Sequence, residues 1–121
     1  MKIARTLLSD LLAASRNSLP DEFFAILSST KNDDTMDEFV LVPTFTGKSS
    51  AWFSPHDFPI EPKLRGTFHS HPTPDGRASR ADRESFKRTG IVHIIGYWPF
   101  GPSDWIAYDA NGRPLILEVT P

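Results

Sequence analysis

The sequence contains no cysteine. That removes disulfides and thiolate metal sites, and it fits a reducing compartment, with the cytoplasm as the expected one. No stretch approaches the roughly 20 apolar residues that a membrane-spanning helix needs. The opening "MKIARTLLSDLLAASRNS" also lacks the unbroken apolar run of a signal peptide, because Arg5, Ser9 and Asp10 interrupt it. There is no surplus of basic charge: the formal net charge is −2, so neither nucleic acid nor a membrane surface is an expected partner. Internal repeats and low-complexity segments are absent too.

What remains is an ordinary globular composition of 121 residues, 39% hydrophobic, 12% aromatic and 23% charged. That length suits one soluble domain over residues 1–121, with a single core. Two basic stretches, "KLRGTF" and "GRASRADRESFKR", fit either an acidic or carboxylate-ended partner or a plain solvated face.

Ile3, Leu7, Leu8, Leu11 and Leu12 recur at helical spacing, which predicts a helix over residues 3–17, stopped by Asn17 and Pro20. Three short β-like runs follow, "EFFAILSST", "EFVLVPTF" and "SAWFS", the first two joined by the polar connection "KNDDTMDE". "SPHDFPIEP", from Ser54 to Pro62, holds three prolines and reads as a loop. "LRGTFHSH" reads as a strand that Pro72 ends. Ser79 then opens a helix over about "RADRESFKR", which Gly90 closes. "IVHIIGYW" predicts a central strand, and "DWIAYDANGRPLILEV" a hairpin about Asn111-Gly112. This order gives an α+β (mixed α/β) domain with a mostly antiparallel sheet.

The chemistry concentrates in "HSHPTPDGRASRAD", His69 to Asp82. On a strand, residues i and i+2 point to one face about 7 Å apart, so His69 and His71 can close on one ion. Ten residues separate His71 from Asp82, enough for the chain to turn at Pro72 and bring the carboxylate back. Two imidazoles and a carboxylate are oxygen and nitrogen donors suited to zinc, with a fourth position left to water. A capping box of Ser79 and Asp82, beside hydrogen-bonded strand histidines, explains the same residues without any metal. Spacing alone leaves both open.

"GTFHSHPTPDGRASRADRESF" resembles the JAMM (MPN-plus) metalloprotease motif, H-S/T-H-P followed after about seven residues by S-x-x-D. The resemblance implies an MPN, cytidine-deaminase-like fold, a mixed sheet flanked by two helices, like the compact archaeal-type members. It implies Zn²⁺ as the cofactor, held by His69, His71 and Asp82. The family's upstream glutamate falls in "LPDEFFAIL", which gives Glu22 the part of general base, and Ser79 would stabilise the oxyanion. The implied reaction is hydrolysis by metal-activated water of the bond joining the C-terminal glycine of a ubiquitin-like modifier to a lysine or precursor tail. Such modifiers and their lysine conjugates are the implied partners, and a homodimer is compatible with the family. Residues from about Ser50 to Pro62 correspond to its first insertion, a place for clamping the modifier's tail; the second insertion is nearly absent.

Ser70, between the histidines, points to the opposite face and is assigned to the fold. His93 reads as a core histidine and His56 as a loop residue, while Trp52, Phe53, Phe58, Trp98 and Trp105 read as packing rather than as a substrate platform. Two other functions compete: a catalytically silent MPN-type scaffold, and an iron(II) oxygenase built on a two-histidine, one-carboxylate triad. The complete set Glu22, His69, His71, Ser79 and Asp82 disfavours the scaffold. A chain opening with a helix, and carrying its carboxylate on a second helix, disfavours the oxygenase.

Overall fold

The structure is a computed structural model that describes residues 1–41, 64–88 and 91–121. Along the chain come β1 (Lys2–Ala4), α1 (Arg5–Ser18), β2 (Phe24–Ser28), β3 (Thr35–Met36) and β4 (Glu38–Leu41). Then follow β5 (Leu64–His71), α2 (Arg80–Phe86), β6 (Val92–Tyr97), β7 (Trp105–Tyr108) and β8 (Glu118–Thr120). The expected strand "SAWFS", the Ser54–Pro62 loop, the Ser50–Pro62 clamp, His56, Trp52, Phe53, Phe58 and Gly90 lie outside the described residues.

Among the described residues, five strands form the main sheet in the order β4-β2-β5-β6-β7. Of the pairings described there only β5–β6 is parallel, so the sheet is mostly antiparallel as expected. β5 sits in the middle, and its period of two distributes side chains between two different layers. Phe68 points toward α1, into a core with Leu7, Leu8, Leu11, Leu12, Ala25, Leu27 and Ile94. His69 and His71 point the other way, toward α2, whose Phe86 packs with Ala78, Ile95 and Tyr108. Burying each such leucine stabilises by roughly 1.5–3 kcal/mol. The two helices therefore flank the sheet, one on each face.

A second, three-stranded sheet, β3-β1-β8, is parallel throughout and was not anticipated. It moves several expected boundaries. Residues 2–4 extend as a strand before α1, so the helix begins at Arg5 rather than at residue 3. Ile3 is fully buried there, between Met36 and Val119. The "KNDDTMDE" connection is not a bare turn, because Thr35 and Met36 leave it to pair with β1. The Asn111-Gly112 turn forms, with Gly112 at φ 78 and its N–H donating to the Asp109 carbonyl at 3.0 Å. Among the described residues its second arm keeps a single bridge, Tyr108 to Pro114, flanked by bonds from Asp109 N–H to the Arg113 carbonyl and from Leu115 N–H to the Ala107 carbonyl. Proline has no N–H to extend that ladder, and the chain goes on to β8 beside β1 instead. α2 ends at Phe86 with Lys87 as its cap, earlier than the expected stretch.

Among the described residues no helix is long and apolar enough to cross a membrane.

Candidate metal centre

Two elements meet at one point on the α2 side of the sheet. His69 and His71 stand side by side at the end of β5, and Asp82 comes from the first turn of α2. His69 Nε2 lies 3.0 Å from Asp82 Oδ1, and His71 Nε2 lies 3.2 Å from Asp82 Oδ2. The two imidazole Nε2 atoms are themselves 3.2 Å apart. Only 8–16% of each side chain is exposed.

Donors held about 2.1 Å from a tetrahedral centre are about 3.4 Å from one another, close to the separations found here. All three groups offer one ligand atom, and these atoms lie within 4.8 Å of one another. The donor chemistry and spacing fit a divalent ion.

The surroundings prepare each donor. His71 Nδ1 is 2.8 Å from the Asp75 carbonyl, to which it donates, so that Nε2 is the nitrogen turned inward, its lone pair open to an ion once its proton leaves. Burial would lower the His71 pKa, but it is outweighed by the Asp82 hydrogen bond, the Asp75 carbonyl, and the charges of Asp82 and Glu22, so the pKa is raised. For Asp82, burial pushes the pKa up. Hydrogen bonds from His69 and His71, the His69 charge and the Ser79 N–H overcome it and hold the carboxyl far below its usual range. Asp82 therefore stays ionised, as a ligand must.

The capping box that competed with a metal site is present as well. Ser79 Oγ accepts from Asp82 N–H at 3.0 Å, and Asp82 Oδ2 accepts from Ser79 N–H at 2.8 Å. The box is what aims the carboxylate at the histidines. Its acceptor role leaves the Ser79 hydroxyl hydrogen able to donate outward, where Ser79 is exposed.

Glu22 arrives from the other side. Phe24 pairs with His69, and the pairing continues through Phe23, whose N–H donates to Ser70 Oγ at 2.7 Å. The Phe23 carbonyl in turn accepts from Ser70 N–H at 2.9 Å. Glu22 precedes Phe23 in the chain, its charge acts on His71, and one of its carboxylate oxygens is shielded from solvent. Ser70 thus has the structural duty expected of it.

The other assignments resolve simply. His93 is fully buried, lies 2.7 Å from Thr67 Oγ1 through Nδ1, and stacks on Phe86 at 4.4 Å, a core histidine. Trp105 packs against the core and donates to the Pro102 carbonyl, while Trp98 is half exposed.

Sequence reasoning missed two contributors. Asp75 acts through a backbone carbonyl, which no side-chain pattern reveals. Tyr108 donates to the Gly76 carbonyl at 2.8 Å and accepts from Ala78 N–H at 3.2 Å, pinning the segment that leads into Ser79. Gly76 belongs there because a Cβ would stand 2.5 Å from the Tyr97 ring.

Residues 4–113 match the family of prokaryotic homologs of the JAB domain. The chain belongs to the JAMM/MPN family. A probable metalloprotease from Haloferax volcanii is 31% identical over 126 residues, covering 97% of this chain and 78% of that protein. The crystal structure of a JAB1/MPN domain protein from Archaeoglobus fulgidus is 39% identical, with a TM-score of 0.82 and full coverage of both chains. A second solved chain, described as JAMM, a metalloprotease-like zinc site in the proteasome and signalosome, is 38% identical with a TM-score of 0.79. The alignment with it covers 100% of this chain and 98% of that one. This JAMM/MPN chain thus shares the family's fold and brings together a His-His-Asp set able to hold a metal ion.

Proposed function

We propose that this JAMM/MPN chain is a zinc-dependent isopeptidase, one domain over residues 1–121. It cleaves the bond between the C-terminal glycine of a ubiquitin-like modifier and a lysine or precursor tail. The observation that carries this is the convergence of His69, His71 and Asp82 donor atoms to within 3.0–3.2 Å, with the charge of Glu22 acting on His71.

His69, His71 and Asp82 would hold the ion. When bound, zinc would supply a water whose pKa is lowered to about 7, and would polarise the scissile carbonyl. Glu22, outside the donor set, takes the water's proton and delivers it to the leaving amine, a lysine side chain in an isopeptide. Ser79 turns its hydroxyl toward the charge that develops on the carbonyl oxygen. Tyr108 and Asp75 keep the turn between His71 and Ser79 in place while this happens.

The test is incubation of the zinc-loaded protein with a ubiquitin-like modifier conjugated to lysine, with and without a chelator. Cleavage that stops on chelation and returns with added zinc is expected. Cleavage that ignores the chelator would remove the metal from the mechanism. No cleavage by the loaded protein would favour the scaffold instead.

A further inference from the structure

An open cleft of about 380 Å³ adjoins the metal centre, lined by His71, Thr73, Arg77, Ser79 and Arg83 among others. A second hollow of about 390 Å³, lined by Arg80, Arg83, Glu84, Lys87 and Asn111, shares Arg83 as a wall. The chain has a net charge of −2, yet Arg77 to Arg88 holds five cations and two acids. One of those acids, Asp82, is turned to the histidines.

The cations are not equivalent. Arg77 is committed to Asp75, at 3.1 Å, and Lys87 pairs with Glu84 at 3.7 Å. Arg83 has no carboxylate within 4.0 Å among the described residues. Its head donates to the Ala78 carbonyl at 3.3 Å. Its stem lies against the turn at Gly112, where a Cβ would meet Arg83 Cγ at 2.9 Å and Cδ at 3.1 Å. Gly112, at φ 78, thus serves both the turn and the seat of the arginine. A guanidinium so held has lost part of its freedom before any ligand arrives, and its planar fork suits a carboxylate.

We infer that Arg83 is a specificity determinant that selects polypeptide substrates carrying an acidic residue beside the cleaved bond. This deepens the isopeptidase reading and rests on it for the identity of the bond, though not for the binding itself. Arg83 acts by holding the substrate's carboxylate in the cleft next to Ser79 and His71, without touching the reacting atoms.

The experiment uses a pair of fluorescent peptides bearing a glycine–lysine branch whose scissile amide is replaced by a non-cleavable secondary amine. The residues flanking the branch are Glu in one peptide and Gln in its twin. Binding to the zinc-loaded protein is read by fluorescence anisotropy. The Glu peptide is expected to bind about fivefold tighter than its twin, as suits a partly exposed ion pair. That preference falls to about one in Arg83→Gln, is partly kept in Arg83→Lys, and shrinks at 0.5 M salt (about a 4 Å screening length). Equal binding of the two peptides, or an equal loss of both in Arg83→Gln, would overturn the assignment. Cleavable versions are run in parallel. A Glu preference without cleavage refutes the isopeptidase reading and leaves Arg83 its role; cleavage of both peptides without preference does the reverse.

Discussion

Asp82 and Ser79 exchange hydrogen bonds, backbone N–H to side chain in each direction, at 3.0 and 2.8 Å. The pair closes the first turn of α2 and simultaneously turns the Asp82 carboxylate onto His69 and His71. One local motif fixes a helix start and a metal ligand together, so the bland and the chemical explanations of "SRAD" are the same structure.

Stability and rate should therefore separate at Ser79. Ser79→Ala is expected to lower stability by about 1 kcal/mol through the lost cap, and cleavage by roughly 100- to 1,000-fold through the lost hydroxyl donor. Ser79→Gly, a tolerable cap, should cost only about a few tenths of a kcal/mol yet lose as much rate. Urea melts and single-turnover cleavage check the two halves. If Ser79→Gly cleaved at the wild-type rate, the hydroxyl would be acting only on the helix.

Glu22→Gln keeps shape and hydrogen bonding but removes the basic oxygen. It is expected to retain about one zinc per chain while cleavage falls below detection. The variant's zinc content is read by plasma emission spectrometry beside the cleavage assay. A variant that cleaves normally would assign the base to another group.

Much of this centre is legible in the sequence because it obeys short-range rules. The alternation of β5 puts His69 and His71 on one face, and Ser79 with Asp82 is a recognisable helix start four residues long. The parts that escaped act at long range or through the main chain. Tyr108 reaches Gly76 across 32 residues, and Asp75 contributes a carbonyl rather than its carboxylate. β1, β3 and β8, at two or three residues each, are too short to carry a period of two, so the parallel sheet they form leaves no pattern. The Asn111-Gly112 signal located a turn correctly, but a turn does not say how far its second arm stays paired.

Zinc and protons compete for His71. In the metal-free protein its pKa is raised, so the stabilisation from its contact with Asp82 is complete below the ordinary imidazole value of 6.5 and fades as pH rises through the elevated one. Asp82 is depressed, so its share is present above 3.8 and is lost only as pH falls toward its much lower folded value. The metal-free pair is thus most helpful between about pH 4 and 6.5. Zinc must displace the His71 proton, and its stabilising effect should grow as pH rises from about 6 to 8. Thermal melts with and without zinc across that range measure it; a zinc-induced shift that stayed flat would exclude His71 from the ligand set.

Zinc content of the purified chain, set beside that of His69→Ala, His71→Ala and Asp82→Asn, addresses the shared ion most directly. Each variant is first shown to be folded by circular dichroism. The wild-type chain is expected to hold about one zinc after gel filtration, and each single substitution to cut retention at least tenfold, since removing one of three ligands leaves too few donors. Full retention of zinc by any two of the three folded variants would contradict it.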